Sequence, residues 1–367
     1  MERILKEIEL LEQCKITEGK TLLIFDEIQE APRAITSLKY FCENKPNLHV
    51  ACAGSLLGVA LKKENISFPV GKVNRMQMYP MSFKEFLEAV GEEKYVSLFS
   101  DWNFNREIPE AFSKPLEHLL KEYYIVGGMP EAVQEYVYSK DFRAVQEIQD
   151  EIHSDYADDF SKHAPVSEIE KIRLIWDSVP KQLAKENNKF VFSHVKEGKR
   201  AHELESALQW LKNAGLVYLL ELVQNPQIPL SAFSDATYFK VYMADQGLLC
   251  RKLALSYKDF LDENDSLKTF KGAVVENYVL SELIRLEKEP YFLRSGNSAE
   301  LDFLFEEEAI IPVEVKAATN TQAKSYKQFC KKYSPKKGYK LSLKNLAVND
   351  FEGIQTVSLP LYLAWKM

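Results

Sequence analysis

The sequence predicts an α/β protein built from several domains, and three features of its pattern lead to that prediction. Short apolar runs typical of buried strands alternate with amphipathic helices in the first 55 residues. The same alternation returns after residue 271, and the stretch between 83 and 161 is helical throughout. A chain of 367 residues is long enough for about two to four domains, so we expect separate folding units.

Composition and charge are those of an ordinary globular protein. Hydrophobic residues make up 46% of the chain and charged residues 28%, and the net charge of −7 argues against a surface coated with positive charge. The five cysteines are scattered without a C-x-x-C pair, as in a reducing compartment. The apolar stretches are too short to span a bilayer, and the charged start is unlike a signal peptide. We expect a cytoplasmic protein with no membrane partner.

The first two predicted domains are residues 1–82 and 83–162. The first contains a strand–helix–strand unit, and the apolar character of its strands, 21–25 and 48–53, indicates burial on both faces of a parallel sheet. The second is a helical region that breaks at the glycine pair 127–128.

The third predicted domain, residues 163–255, has the order of a winged helix-turn-helix. A helix, a short strand at 190–192, a second helix at 200–213 and a two-stranded ribbon follow one another. Lys199 and Arg200 flank the start of the second helix, where we predict contact with nucleic acid. The alternative is a packing module, because acidic residues in the same turn dilute the positive charge.

The fourth predicted domain, residues 256–367, has an α/β pattern. The predicted elements are a helix at 272–286, strands at 291–294, 301–305 and 310–316, a helix at 322–333 and a strand at 338–341.

A pair of carboxylates ends the first predicted strand, where the chain reads LLIFDE. At this position Asp26 can hold Mg²⁺ and Glu27 can orient an attacking water, as in phosphate-hydrolysing sites. Ser55 ends the neighbouring predicted strand, where a side chain can sense a terminal phosphate. No G-x-x-x-x-G-K-[ST] loop precedes the pair, and the alternative is that the two acids merely end a buried strand.

The sharpest chemical signal lies in the fourth predicted domain. The segment ELDFLF places Asp302 on one strand, and IPVEVKAA places Glu314 and Lys316 on the next. Alternate residues of a strand share a face, so Glu314 and Lys316 point the same way. Asp302 can then complete a metal site with Glu314, and Glu276 can reach it from the preceding helix. A structural ion cluster on an ordinary edge strand is the alternative.

These residue types suit metal-assisted chemistry. Mg²⁺, or Mn²⁺ in its place, prefers carboxylate oxygens and keeps several waters. Lys316 would position or deprotonate one of those waters for in-line attack on a phosphodiester.

Four motifs resemble a large prokaryotic family of AAA-type ATPases that carry a carboxy-terminal domain of unknown function. They are LLIFDEIQEAPRAITSLKYF, ACAGSLLGVAL, FPVGKVNRMQMYPMSFKEFL and GGMPEAV, and the resemblance covers essentially the whole chain. It implies that Asp26 and Glu27 are the Walker B pair and that Ser55 is the sensor residue. It also implies that Lys72 and Arg75 lie near the edge of the nucleotide site, and that the protein assembles into a homo-oligomer, as relatives often do.

The same resemblance implies a further strand and a phosphate-binding loop ahead of the Walker B strand, and neither pattern occurs in this sequence. We expect a family member that lacks this segment. Without the backbone N–H groups and the lysine of that loop, the phosphates of ATP have no cradle. ATP, the cofactor of full-length relatives, is therefore expected to bind weakly or not at all, and ATP hydrolysis to be absent.

The fourth predicted domain also resembles the PD-(D/E)xK nuclease fold, over about residues 265–345. The likeness consists of an acidic residue on a helix, an Asp on one strand and E-x-K on the next. It implies a restriction-endonuclease-like α/β domain whose catalytic residues are Glu276, Asp302, Glu314 and Lys316.

A lysine-rich stretch follows these residues. Nine lysines and no acid lie between Glu314 and residue 344, which is a candidate footprint for a polyanion. Lys324, Lys327 and Lys331 lie where the backbone of DNA would run, although a solvated helix face is the alternative.

Three functions are consistent with the sequence. The first is an AAA-type ATPase family protein whose back domain hydrolyses nucleic acid with a metal ion. The second is an ATPase-type regulator whose nuclease-like domain only binds DNA, and the third is a scaffold for protein partners. Metal dependence separates the first from the second, and salt-dependent nucleic-acid binding separates both from the third.

Overall fold

The computed structural model describes residues 2–54, 69–102, 106–185, 188–261, 267–295, 299–317, 324–351 and 353–367. The chain divides into two compact units. One comprises residues 1–78 with 209–215, and the other comprises residues 79–208 with 216–367. Ser55 lies outside the described residues.

The smaller unit contains the predicted strand–helix–strand arrangement. Its elements are α1 (Glu2–Leu11), β1 (Leu22–Phe25), α2 (Pro32–Asn44) and β2 (His49–Cys52). The two strands pair in parallel, from Leu22 opposite His49 to Phe25 opposite Cys52, so the βαβ prediction is confirmed.

The prediction that β1 is buried on both faces is wrong. Leu23 is buried with Phe41 and Leu48, whereas Leu22 is 55% exposed and Ile24 is 66% exposed. Successive side chains of a strand point to opposite faces, and the apolar cluster of this unit lies on the Leu23 face. An apolar run therefore did not distinguish a strand covered on both faces from one covered on a single face.

Helices form the first part of the larger unit, as predicted. They are α3 (Phe83–Ala89), α4 (Glu93–Ser100), α5 (Glu110–Val126), α6 (Pro130–Ser139), α7 (Phe142–His163) and α8 (Val166–Leu183). Ser82 and Glu85 form a reciprocal capping box at the start of α3, which satisfies backbone donors that a helix start leaves free.

The segment predicted as a winged helix folds differently in two respects. Helix α9 (Ala201–Asn213) is present, but Phe192–His194 is a turn of 3₁₀ helix, so the predicted strand at 190–192 is wrong. The ribbon strands β3 (Val217–Val223) and β4 (Ser234–Met243) pair antiparallel as expected. They also join a larger sheet, and the winged-helix assignment itself stays a prediction.

The remaining elements complete that sheet and cover it. They are α10 (Gln246–Lys252), α11 (Tyr257–Leu261), α12 (Lys268–Arg285), β5 (Tyr291–Ser295), β6 (Ala299–Glu306), β7 (Ile310–Val315), α13 (Lys324–Tyr333), β8 (Lys337–Ser342), β9 (Ala347–Phe351) and β10 (Ile354–Pro360). The eight strands are ordered β4-β3-β5-β6-β7-β8-β10-β9. The sheet is thus continuous across the boundary predicted at residue 255.

The sheet has both parallel and antiparallel neighbours, and helix α13 packs against it to form a buried core. The pairs β3–β5, β7–β8 and β8–β10 are parallel, and the other neighbours are antiparallel. Tyr326, Phe329 and Cys330 of α13 are buried against Leu293 and Leu301 of the sheet. No helix among the described residues is long and apolar enough to cross a membrane.

The glycine pair that breaks the helical region is held by a buried carboxylate. Asp245 Oδ2 accepts a hydrogen bond of 2.6 Å from the N–H of Gly128, and Asp245 Oδ1 accepts one of 2.9 Å from the N–H of Leu248. A Cβ on Gly128 would lie 2.1 Å from the carbonyl oxygen of Met81, and a backbone oxygen cannot move aside as a flexible side chain can. The turn therefore requires glycine here.

We predict that Gly128→Ala lowers the free energy of unfolding by about 1–3 kcal/mol because the added methyl meets backbone. The control is Gly272→Ala, since Gly272 lies in α12 with nothing within 4 Å of the added Cβ. That change is expected to stabilise the protein by roughly 0.5–1 kcal/mol. Thermal melts of both variants test the pair, and equal midpoints would contradict the account.

Candidate metal and nucleic-acid site

Asp302 and Glu314 are neighbours in the sheet. Strands β6 and β7 pair antiparallel with Phe303 opposite Val313. Asp302 is the residue before Phe303 and Glu314 is the residue after Val313, so the two acidic residues lie side by side on adjacent strands. Asp302 Oδ2 accepts a 2.6 Å hydrogen bond from the backbone N–H of Val315. The structure therefore brings together the two carboxylates that the sequence assigned to a metal.

Lys316 lies beside both carboxylates. Its Nζ is 2.7 Å from Glu314 Oε1 and 3.8 Å from Asp302 Oδ2, and it donates a 3.0 Å hydrogen bond to the carbonyl of Val315. The lysine side chain is 35% exposed, whereas that of Glu314 is 4% exposed, so the ammonium group forms the solvent side of the cluster.

Glu314 is the least satisfied group of this cluster. Its second oxygen, Oε2, is buried and has no hydrogen-bond partner within the described part of the chain. Burial removes water from the carboxylate and the neighbouring Asp302 repels its charge, which raises the pKa of Glu314 to about 8 despite the attraction of Lys316. A buried acceptor without a donor is costly, and a cation would relieve that cost.

Glu276 comes from α12 and is held by three other side chains. Its Oε2 accepts hydrogen bonds of 3.0 Å from Asn188 Nδ2 and 3.1 Å from the Tyr242 hydroxyl. Lys240 Nζ lies 4.0 Å from the same oxygen. Burial raises the pKa of Glu276, although the Lys240 charge opposes the rise.

Sequence reasoning missed Lys240, Tyr242, Asn188 and Glu300. Lys240 is 1% exposed and its Nζ is 2.5 Å from Glu300 Oε1. One available signal was a lysine inside the otherwise apolar stretch YFKVYM, since a charged residue in a buried strand requires a partner. The partner could not be named without the strand order.

The fit of a divalent cation rests on Asp302 and Glu314. Among the described residues, no group of three His, Cys, Asp or Glu side chains is arranged to hold a metal ion. Two carboxylates nevertheless match the chemistry of Mg²⁺, which is held by one or two protein carboxylates while it keeps several waters. The unpartnered Glu314 Oε2 supports that fit.

The predicted front site lies in the smaller unit. Asp26 and Glu27 follow β1 directly and are exposed, and Glu27 has a left-handed backbone with φ of 47°. Asp26 Oδ1 accepts a 3.0 Å hydrogen bond from the N–H of Glu27, and Glu27 Oε2 accepts one from the side chain of Gln29. Lys72, predicted at the edge of this site, pairs at 3.2 Å with Glu43.

The basic residues before α9 are partly neutralised. Lys199 Nζ is 2.8 Å from Glu203 Oε1, and the backbone N–H of Arg200 donates a 2.9 Å hydrogen bond to Glu203 Oε2. These two interactions lower the pKa of Glu203 to about 2. The acid therefore acts as a cap for the helix start and occupies the lysine that was predicted to meet nucleic acid.

The basic residues of α13 belong to a helix that packs against the sheet carrying the carboxylates. Lys324, Lys327 and Lys331 are exposed on this helix. Lys327 Nζ is 5.8 Å from the centre of the Phe351 ring, and Lys340 Nζ is 5.9 Å from the same centre. Lys340 pairs with Glu314 in the register of β7 and β8, which connects the lysine-rich surface with the acidic cluster.

Family comparisons match the chain in three successive segments. Residues 2–87 match an AAA domain, residues 117–259 a domain of unknown function (DUF8612) and residues 271–362 a second domain of unknown function (DUF4143). The matches support an AAA-type ATPase-like family. The match over residues 2–87 supports the AAA-type part of the resemblance drawn from the four motifs, whereas the nuclease likeness stays a prediction.

Two individual proteins are similar to parts of the chain. The uncharacterized protein MJ1637 of Methanocaldococcus jannaschii is 28% identical over 141 residues, which are 36% of this chain and 29% of that protein. The chain thus spans less than a third of this relative. The Walker-type ATPase PABY2304 of Pyrococcus abyssi is 17% identical with a TM-score of 0.38, over 68% of this chain and 66% of that one.

We predict that Glu314→Gln makes the stability less dependent on pH. A carboxyl whose pKa rises from 4.5 in the unfolded chain to about 8 in the folded protein binds its proton more tightly when folded. The free energy of unfolding therefore falls as pH rises through that window and changes no further above it. Relative to wild type, Glu314→Gln should gain stability between pH 5 and pH 8.

Thermal melts across pH measure this difference, and Glu308→Gln is the control because Glu308 is an exposed carboxylate of the same region. A constant offset between Glu314→Gln and wild type at every pH would contradict the prediction.

Proposed function

We propose that the larger unit is a metal-dependent phosphodiesterase that acts on nucleic acid, within an AAA-type ATPase-like protein. The observation that carries the proposal is the buried, unpartnered Glu314 Oε2 beside Asp302 and Lys316. Two carboxylates with a free acceptor suit a hard divalent cation, and a lysine beside them suits a phosphate oxygen.

In this proposal Asp302 and Glu314 hold Mg²⁺ or Mn²⁺. When bound, the ion would polarise the phosphoryl group and lower the pKa of a coordinated water. Glu276 does not share these contacts, since its Oε2 accepts hydrogen bonds from Asn188 and Tyr242.

Lys316 is assigned a positioning role for phosphate rather than the role of a base. Burial opposes charge on Lys316, but the carboxylates of Asp302 and Glu314 outweigh it and raise the pKa of Lys316 above its ordinary value. The side chain therefore keeps its proton at neutral pH. Its side chain is half-buried, and the ammonium group has donors left for a phosphate oxygen beside its contacts with Glu314 and Val315. The attacking water must lose its proton elsewhere.

The lysine-rich surface of α13 supports nucleic acid as the substrate class. Lys324, Lys327 and Lys331 present positive charge along one helix. Lys340 continues the charge to the strand position opposite Glu314. A phosphate backbone bound along this surface would reach the acidic cluster. The lysines would attract its negative charge locally, even though the net charge of the whole chain is −7.

A second function, nucleic-acid binding without hydrolysis, is favoured by one observation. Lys316 and Lys240 already neutralise carboxylates of the cluster, and no three metal-type side chains are arranged as ligands within the described part of the chain. The cluster would then be a structural ion network in a fold that only binds DNA.

We predict that the purified protein cleaves supercoiled plasmid or single strands in Mn²⁺ and that Asp302→Asn abolishes cleavage. Outer-shell changes at metal sites cost 10–100-fold, so loss of a ligand should cost more than about a hundredfold. Glu308→Gln, an exposed change on the adjacent turn, is the matched control and should cleave like wild type. Absence of cleavage by wild type would contradict hydrolysis and favour the binding function.

We predict that Lys327→Gln weakens binding to duplex DNA and flattens its salt dependence, because each lost phosphate contact lowers the slope of log K against log salt by about 0.9. Fluorescence anisotropy across a salt series measures this slope. Lys162→Gln, the same charge change on the exposed surface of α7, is the control.

The same series tests the other predicted contact. Lys199→Gln should have a smaller effect, since Lys199 is paired with Glu203. Equal slopes for all three variants would argue against a binding surface on α13.

A further inference from the structure

Lys240 is a buried lysine that the proposed mechanism does not use. It belongs to β4, and its side chain is 2% exposed. Strands β3 and β5 lie between β4 and β6, yet the ammonium group passes the Phe292 ring of β5 at 4.8 Å to reach Glu300 of β6. A charged group taken this far from water is destabilising unless opposite charges surround it.

The cluster divides into two pairs of carboxylates, each with its own lysine. Lys316 lies with Asp302 and Glu314 at the end of β7. Lys240 lies with Glu276, at 4.0 Å, and Glu300, at 2.5 Å. Coulombic attraction to Glu276 and Glu300 keeps the pKa of Lys240 above its ordinary value although burial opposes it, so this lysine remains a cation.

The two pairs differ in what a metal ion would have to displace. At Glu276, Oε2 already accepts hydrogen bonds from Asn188 and Tyr242, and at Glu300, Oε1 is bonded to Lys240. At Glu314, Oε2 has no hydrogen-bond partner among the residues that the structure describes. A divalent cation can therefore approach Glu314 Oε2 without breaking a hydrogen bond of that oxygen. A cation between Glu276 and Glu300 would have to displace Lys240, whose buried ammonium group lies close to both carboxylates.

We propose that Lys240 takes the place of a second cation, so that the site binds a single divalent ion, at Asp302 and Glu314. This inference rests on the proposed metal dependence and goes beyond it by fixing the stoichiometry and by excluding Glu276 as a metal ligand. Lys240 is thus a positioning residue, which holds Glu276 and Glu300 in place from a strand outside the segment that carries the motif.

Calorimetric titration of the full chain with Mn²⁺ tests the inference without any substrate. Wild type should bind one ion per chain. Lys240→Met removes the counter-ion of Glu276 and Glu300 while it keeps the length of the side chain, and we expect this variant to bind a second ion. Lys240→Arg restores the positive charge and should return the stoichiometry to one.

Glu276→Gln keeps the inference testable if Lys240→Met does not fold. Because Glu276 is not a ligand, the dissociation constant for Mn²⁺ should change by less than about tenfold, the lower limit expected for an outer-shell partner. Loss of Mn²⁺ binding in Glu276→Gln would overturn the inference.

The remaining outcomes separate this inference from the function on which it rests. Two ions bound to wild type, or a single ion with unchanged affinity in folded Lys240→Met, would overturn the role of Lys240 and leave metal dependence intact. No Mn²⁺ bound to wild type would instead contradict the proposed function itself.

Discussion

The need to neutralise buried charge governs the arrangement of the candidate site. Lys240 and Glu314 are both removed from water, and neither can be buried alone without a large loss of solvation energy. Lys240 obtains its partners from α12 and β6, and Glu314 obtains one from the residue two positions further along its own chain. Glu314 Oε2 has no hydrogen-bond partner among the described residues, and we propose that an ion binds there.

That arrangement depends on a sheet assembled from distant parts of the chain. Strand β4 brings Lys240 and Tyr242, and strands β6 and β7 bring the acidic residues of the motif. The ribbon joins through the parallel pairing of β3 with β5, at Leu222 opposite Phe292. A protein with the same back domain but without the ribbon would lack the counter-ion of Glu276, so the ribbon and the motif belong to one structural unit.

Much of the local structure could be predicted from the sequence. The strand that carries Asp302 was predicted at 301–305, and the observed strand β6 is Ala299–Glu306. The preceding helix was predicted at 272–286, and the observed helix α12 is Lys268–Arg285. The proximity of Asp302, Glu314 and Lys316 followed from strand alternation. These predictions were correct because helix and strand patterns depend on residues that are close together in the sequence.

The predictions that were wrong or missing concern properties that depend on contacts between residues far apart in the sequence. Whether β1 is covered on one face or two depends on what packs against it, and Leu22 and Ile24 are exposed. The place of the ribbon in the sheet and the partners of Lys240 depend on strand order, which no local pattern encodes. The pairing of Lys199 with Glu203 was different, because Lys199 lies only four residues before Glu203, at the start of a helix that the sequence did predict.

The most direct test of the central claim is anomalous diffraction from crystals of the full chain grown with Mn²⁺. We predict one anomalous peak, within coordination distance of Asp302 and Glu314, with Lys240 still bonded to Glu300. A peak between Glu276 and Glu300, or no peak near the four carboxylates, would contradict it.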